Sequence, residues 1–439
     1  MSKVTYTFYV SEDLLQKNTN ISYKPCSNLY ADYSIIHLHN TKPVYNAFTD
    51  SIPEITEEEA KYNSVIFECP SQNLLAMAPP ATVSFNQVEP FLECIKEKNN
   101  VYISEFVEGT FIHLFYDPRL SIWEIATKRA IGGNYSYFHI PGQENLTYRE
   151  MLMEAMQEDI TADLNELPWI DSFSKEHSYS FVLQHPNNHI VIPIKTPKLY
   201  LVAVYKILSD EIAAEFVSPL EYETWDFLKT DKIQFPRKIE CADGNYLSVI
   251  QREASIHTPC SQMGLMFLDV DTGIRCSFIN PNYTELANIR GNYPNIHYQY
   301  LCLRRIGKVL DFLNYFPQYT SLFLEYRDQF EKFVTDTHQS YVDYYVLKKR
   351  EFISKKYYSV IHNIHHTIYL PSIHNSTFHL LPSEYSTNVD CVVNGSKHKT
   401  IIRRSIVKQF IEQLHPGKLL YLLNYEKQYV IHKMMKNND

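Results

Sequence analysis

Tryptophan is scarce in this chain, with 3 residues against 34 tyrosines. Cys-x-x-Cys spacing is missing: Cys26, Cys69, Cys94, Cys241, Cys260, Cys276, Cys302 and Cys391 stand apart, which argues against zinc ribbons and dithiol redox motifs. There is no run of eighteen apolar residues and no apolar stretch of the secretory kind near the N-terminus, so no membrane association is expected. A reducing, cytoplasmic setting with free thiols is the corresponding expectation. Glycine (11) and proline (22) are too few for a disordered chain, and neither an internal repeat nor a tail-like block of charge is present. A net charge of −9 argues against a surface that attracts nucleic acid as a whole, and leaves room only for local basic grooves.

What is present suits a globular protein of two or three domains: 439 residues, 45% of them hydrophobic. The first 280 or so residues show the two-residue period of strands. Residues 64–67 with 74–78 read as a hairpin, and Val88–Ile95 as a short helix. Val101–Asp117 reads as a second hairpin turning at Glu108-Gly109, followed by a strand at Trp123–Thr127. Thr147, with Glu150 three residues on, caps a helix expected over 147–168. Tyr179–Gln184 and Ile190–Ile194 read as a hairpin, Leu199–Tyr205 as a central strand, and 264–268 with 275–279 as a further hairpin. From Tyr283 the period changes to 3.6, with helices expected over 298–316, 321–349, 357–369 and 399–413. The expected division is therefore 1–282 and 283–439, an α+β region of antiparallel sheets followed by an all-helical C-terminal domain.

Glu105-Phe106-Val107-Glu108-Gly109-Thr110, between two apolar strands, resembles the Lys-x-Asp/Glu-Gly attachment motif of covalent nucleotidyltransferases, with Phe106 at the position of the lysine. Further segments follow in the order found in the phage-type RNA ligase 1 family. Asn63-Ser64 stands where the family has Arg-Gly. Ala126-Thr127-Lys128 resembles its Ser/Thr-Lys segment. Phe181 to Val191 resembles Phe-Glu followed by Pro-x-Asn-Arg-Ile-Val, keeping Pro186 and Asn188 but placing Val182 for the glutamate and His189 for the arginine. Met263-Gly264 matches a Glu-Gly step. Arg275 to Tyr283 resembles Lys-x-Lys-Asn-Pro-x-Tyr, with Ser277 and Ile279 at the lysine positions. The resemblance covers roughly residues 60–320. It is closest in flavour to the RNA ligases assigned to large nucleocytoplasmic DNA viruses such as the asfarviruses.

The resemblance implies a nucleotidyltransferase (ATP-grasp-like ligase) core, with Glu108, Gly109, Lys128 and Asn188 as retained candidates for nucleotide contact. Lys128 reads equally as a solvated lysine at a strand end. In the family the lysine attacks phosphorus, carboxylates hold ribose and metal, and the last lysine pair neutralises the α-phosphate. Phe106, Val182, Met263, Ser277 and Ile279 remove all of these, and loss of a nucleophile alone costs on the order of 10⁶ in rate. The former pocket is expected to be apolar and filled, with no cofactor and no metal bound. The implied function is a catalytically degenerate RNA ligase-like protein, a binding or structural component of a virion, transcription or RNA-processing assembly. It would be cytoplasmic or virion-associated, with a protein partner. The alternative is an active ATP- and Mg²⁺-dependent RNA ligase whose nucleophile has moved to a lysine such as Lys128 or Lys206.

His362, His365 and His366 have the i, i+3, i+4 spacing of metal ligands, but no cysteine or carboxylate pattern accompanies them. Arg304-Arg305, Lys348-Lys349-Arg350 and Arg403-Arg404 offer the helical region a route to RNA, or simply solvated helix faces.

Overall fold

The computed structural model describes residues 4–9, 20–28, 30–38, 56–85, 87–96, 98, 100–138, 141, 145–241, 244–349, 353–374 and 401–426. Contacts divide the chain into two compact units, Met1–Pro294 and Asn295–Asp439. The helix Pro281–Arg290, which the change of period assigned to the second region, packs Tyr283 and Leu286 against Val191 and Ile279 of the first unit.

The strands of the first unit are β1 (Thr5–Thr7), β2 (Ile21–Ser27), β3 (Asp32–Leu38), β4 (Val65–Glu68), β5 (Leu74–Met77), β6 (Val83–Phe85), β7 (Val101–Glu105), β8 (Thr110–Asp117), β9 (Ile122–Thr127), β10 (Ala130–Ile131), β11 (His177–Gln184), β12 (Lys198–Leu208), β13 (Ala213–Val217), β14 (Ile233–Gln234), β15 (Gly264–Asp269) and β16 (Arg275–Ile279). They form three sheets. The largest runs β1-β13-β12-β11-β8-β9-β10, with β14 alongside β12; the smaller ones run β6-β16-β15-β7 and β2-β3-β4-β5. Pairing is antiparallel except for β12 with β14 and β16 with β6. This is the α+β architecture of antiparallel sheets expected from the period-two alternation.

One face of the large sheet buries Ile112, Leu114, Phe181, Leu183 and Leu199 against the helix Tyr148–Ala155 and the turns after it. That helix has the expected Thr147–Glu150 capping box but stops at Ala155, short of the expected 168. Gln157 adopts φ 57°, a left-handed conformation that ends the helical path, and short 3₁₀ turns follow. The opposite face packs β2–β5, with Ile36, Val65, Phe67 and Leu74 meeting Ala203 and Tyr205. The small sheet turns Phe85, Ile103, Leu265, Phe267 and Phe278 outward onto the helices Val88–Ile95 and Tyr246–Glu253. Its other face is left for a cleft.

Two expected hairpins are not hairpins. β7 pairs with β15, whereas β8 pairs with β9 and β11, so Phe106–Gly109 is a crossover between sheets rather than a turn within one. Ile190–Ile194 is not a strand either. After the bridge between His185 and Asn188 the chain leaves the sheet, because its N–H groups are directed to a side chain. The hairpins β4–β5 and β15–β16 and the central strand β12 form as read.

Among its described residues the second unit is helical. The expected helix over 298–316 is two, Ile296–Arg305 and Val309–Tyr315, separated at Gly307 with φ 71°. Thr320–Tyr341 and Lys355–Ile364 each continue into a π-turn, and Arg404–Glu412 and Pro416–Leu423 follow. Residues 399 and 400 of the last expected helix, and Arg350, lie outside the described residues. No described helix is long and apolar enough to cross a membrane.

Candidate functional site

A cavity of about 210 Å³ lies between the large and small sheets. Phe111 of β8, Val182 of β11 and Val202 of β12 line one wall; Tyr102 and Ser104 of β7, Met266 and Leu268 of β15, and Arg275 of β16 line the other. Alternation along the small-sheet strands explains this second set, since their intervening residues form the outer core. Val202 reaches the cavity through a bulge. Ser180 pairs with Ala203 and Phe181 with Leu201, which leaves Val202 as the extra residue between them.

Of the five replaced positions, expected to share one pocket, only Phe106 and Val182 line this cavity; Met263, Ser277 and Ile279 do not. Phe106 also packs with Met263 and Ile279 in an apolar cluster built on Val191, Tyr283 and Leu286. Ser277 lies one layer back and fully buried, with its Oγ 2.7 Å from Ser84 Oγ and 3.3 Å from Thr82 Oγ1; Thr82 faces the cavity. Asn63, at the family's arginine position, is another lining residue. The cavity is neither filled nor wholly apolar, contrary to expectation. Glu105, Glu223, Ser104, Tyr222 and Arg275 all contribute to its walls.

The retained motif residues are occupied by the scaffold. Glu108 is 3% exposed, and its carboxylate accepts from the backbone N–H of Ile190 at 2.7 Å, Val191 at 3.1 and 3.2 Å, and Ile192 at 3.2 Å. This is the side chain that draws residues 190–192 away from the sheet. Tyr283 also bonds to Glu108, and its phenol is pushed far above its usual range by burial and then by that carboxylate. Gly109 allows β8 and β11 to close up, because a Cβ there would sit 2.5 Å from Leu183 O and 2.6 Å from Val182 Cγ1. Asn188 donates from Nδ2 to Thr110 Oγ1 and is buried. Asn280 donates to Pro259 O and Gln262 O, each at 2.9 Å, and caps the helix after it.

Lys128 sits in the two-residue turn from β9 to β10 and is not among the residues lining the cavity. Burial, reinforced by Arg129, pulls its ammonium down to about 8. Lys206 instead pairs with Glu176 at 3.3 Å.

Sequence reasoning passed over Arg275, Ser104, Tyr222 and Glu223. The signal for Arg275 was available: it lies two residues before Ser277 on one strand and therefore shares its face. In the second unit, His365 stacks on Tyr345 with ring centroids 3.7 Å apart, and its Nδ1 lies 3.1 Å from Tyr341 Oη. No group of three His, Cys, Asp or Glu among the described residues is placed to hold a metal. Arg304 pairs with Glu412 at 2.8 Å, and Arg404 and Lys408 converge on Glu331 at 2.6 and 2.7 Å.

No protein-family profile matches the chain. The immediate-early protein ICP-46 homolog of invertebrate iridescent virus 6 is 22% identical to it over 281 residues, covering 62% of this chain and 60% of that protein. The protein of the same name from invertebrate iridescent virus 3 is 22% identical over 239 residues, covering 53% and 47%. The chain thus spans about half to three-fifths of the length of these curated relatives. Among solved structures, a Naegleria gruberi RNA ligase with PPi aligns over 48% of this chain and 59% of its own, at 11% identity and a TM-score of 0.31. An Aquifex aeolicus chain assigned as an ATP-dependent DNA ligase aligns over 81% and 86%, at 12% identity and a TM-score of 0.37.

Proposed function

We propose that this chain is a catalytically degenerate RNA ligase-like protein that serves as a binding or structural component of a viral assembly. The observation that carries this reading is the division of labour among the motif positions. Glu108, Gly109 and Asn188, which the resemblance keeps, are taken up by backbone and packing contacts inside the protein. Phe106 and Val182, two of the five replaced positions, line the cleft with carbon, and Phe106 continues into the cluster holding Met263 and Ile279. A triphosphate with its metal needs several cations and free carboxylates, and this donor set does not fit it. Among the described residues lining the cavity the one cation is Arg275, and both carboxylates already accept hydrogen bonds: Glu105 from the Arg237 N–H at 3.0 Å and Glu223 from the Tyr102 hydroxyl at 2.6 Å.

Incubation with α-labelled ATP and Mg²⁺ or Mn²⁺, followed by denaturing electrophoresis, tests the loss of adenylation. No labelled band is expected, and a band at the mass of the chain overturns the reading. The assembly role is tested by purifying the chain from its native source, where stable co-fractionation with a particle or complex is expected and a free monomer refutes it.

One observation favours a second reading, an RNA ligase with a displaced nucleophile. Burial pulls the Lys128 ammonium down to about 8, towards the range of a nucleophilic amine, although Lys128 does not line the cavity. If it is the nucleophile, a labelled adduct forms and Lys128→Arg abolishes it.

A further inference from the structure

We propose that the cavity between the sheets binds a compact oxyanion, a phosphoryl or carboxylate group on a small frame, through the Arg275 guanidinium. Three unsatisfied donors on its walls support this. Among the described residues the Arg275 side chain makes no hydrogen bond and no ion pair, although it is half-buried and lines the cavity. The Tyr222 phenol and Ser104 hydroxyl line the same cavity, and neither makes a hydrogen bond to a described residue.

The charges around Arg275 are arranged to leave it available. The groups that act on it are the phenols of Tyr205, Tyr222 and Tyr6, and burial rather than an acid dominates its electrostatics, drawing it below its ordinary value. Glu223 is bonded by Tyr102, whose own phenol is raised by burial and by that carboxylate. Glu105 is bonded by the Arg237 N–H across the strand edge. A guanidinium withheld from acids, in a cavity whose walls also carry two free hydroxyl donors, offers the fork that oxyanions recognise.

Size sets the class of ligand. About 210 Å³ falls below the ~300–1,000 Å³ of sites for drug-sized molecules, so a small phosphorylated or carboxylated molecule fits better than a nucleotide. The walls of Phe106, Phe111, Val182 and Met266 would take its apolar part. Arg275 is two and four residues along the strand from the lost lysine positions Ser277 and Ile279, so the site does not depend on adenylation, and its failure would leave the pseudoenzyme reading standing.

The test is calorimetric titration of the full chain in a chloride buffer with inorganic phosphate, with acetate and with ATP, alongside the variants R275Q and Y222F. Saturable phosphate or acetate binding in the millimolar range is expected, and whichever is tighter identifies the headgroup. R275Q should weaken it by about ten- to a hundredfold, and Y222F by less, with unchanged circular dichroism in both. If R275Q does not fold, Y222F alone must still weaken binding. Absence of saturable binding of either anion, equal binding by R275Q, or tighter binding of ATP than of both small anions overturns the proposal.

Discussion

Truncating Glu108 to alanine should unfold the cleft from its base. The carboxylate is buried, and it is the acceptor for the N–H groups of Ile190, Val191 and Ile192. Each buried donor left without a partner costs ~1–3 kcal/mol, with the upper end applying where the lost acceptor was charged. Val191 is buried, whereas Ile190 and Ile192 are half-buried and can recruit water into the vacated space, so roughly 3–4 kcal/mol is expected rather than the full sum. At ~2–4 °C per kcal/mol for a unit of this size, the melting temperature should fall by roughly 6–16 °C. Glu108→Gln keeps one carbonyl oxygen and should lose less than half as much. Thermal melts and urea titrations followed by circular dichroism measure the loss. Amide hydrogen exchange should show protection collapsing at residues 190–192 before anywhere else in the unit. If Glu108→Ala melts within about 0.5 kcal/mol of the wild type, the scaffold role assigned to this carboxylate is wrong.

Gly109→Ala forces a methyl group against Leu183 O and Val182 Cγ1 and should destabilise by ~1–3 kcal/mol, read by the same urea titration; a neutral result would mean that β8 and β11 separate freely. Burial holds His113 neutral, down to about 3, while the unfolded chain takes up that proton below about 6.5. Stability should therefore drop as pH falls from about 6.5 towards 3, by up to ~1.4 kcal/mol per pH unit, and His113→Gln should flatten that limb of a pH-stability curve. Phe106→Lys should form no adduct with labelled ATP, because the new amine would still face Val182 and the Met263–Ile279 cluster without the other phosphate cations.

The strands were legible where side-chain alternation and a turn residue agreed, as at β4–β5 and at β15–β16 with Gly273 at φ 69°. Local sequence could not show that β7 and β8 belong to different sheets, since apolar alternation reveals a buried face but not which strand lies beside it. Ile190–Ile194 has the composition of a strand, and a single distant carboxylate overrides it. For the site, Asn63, Phe106 and Val182 of the positions quoted from the family resemblance line the cavity and Lys128 does not, and the polar walls did not announce themselves. Tyr222 and Glu223 stand at the end of a four-residue helical turn, Pro219–Tyr222, with no motif around them, and only tertiary packing brings them to the cavity that Arg275 also lines.

The small sheet joins β6 and β7, from early in the chain, to β15 and β16, and everything from Thr110 to Met263 lies between. During synthesis at ~5–20 residues per second, β7 therefore waits roughly ten to thirty seconds for its neighbour to be made. Throughout that interval Phe85, Phe91 and Ile103 have no partners from β15 or β16, and both β6 and β7 present open edges. The large sheet is built mostly from the intervening residues and can form first. The wall that carries Arg275 is therefore the last part of the cleft to be completed on the ribosome, and the nascent chain is most exposed to chaperones and to aggregation just before the cleft exists.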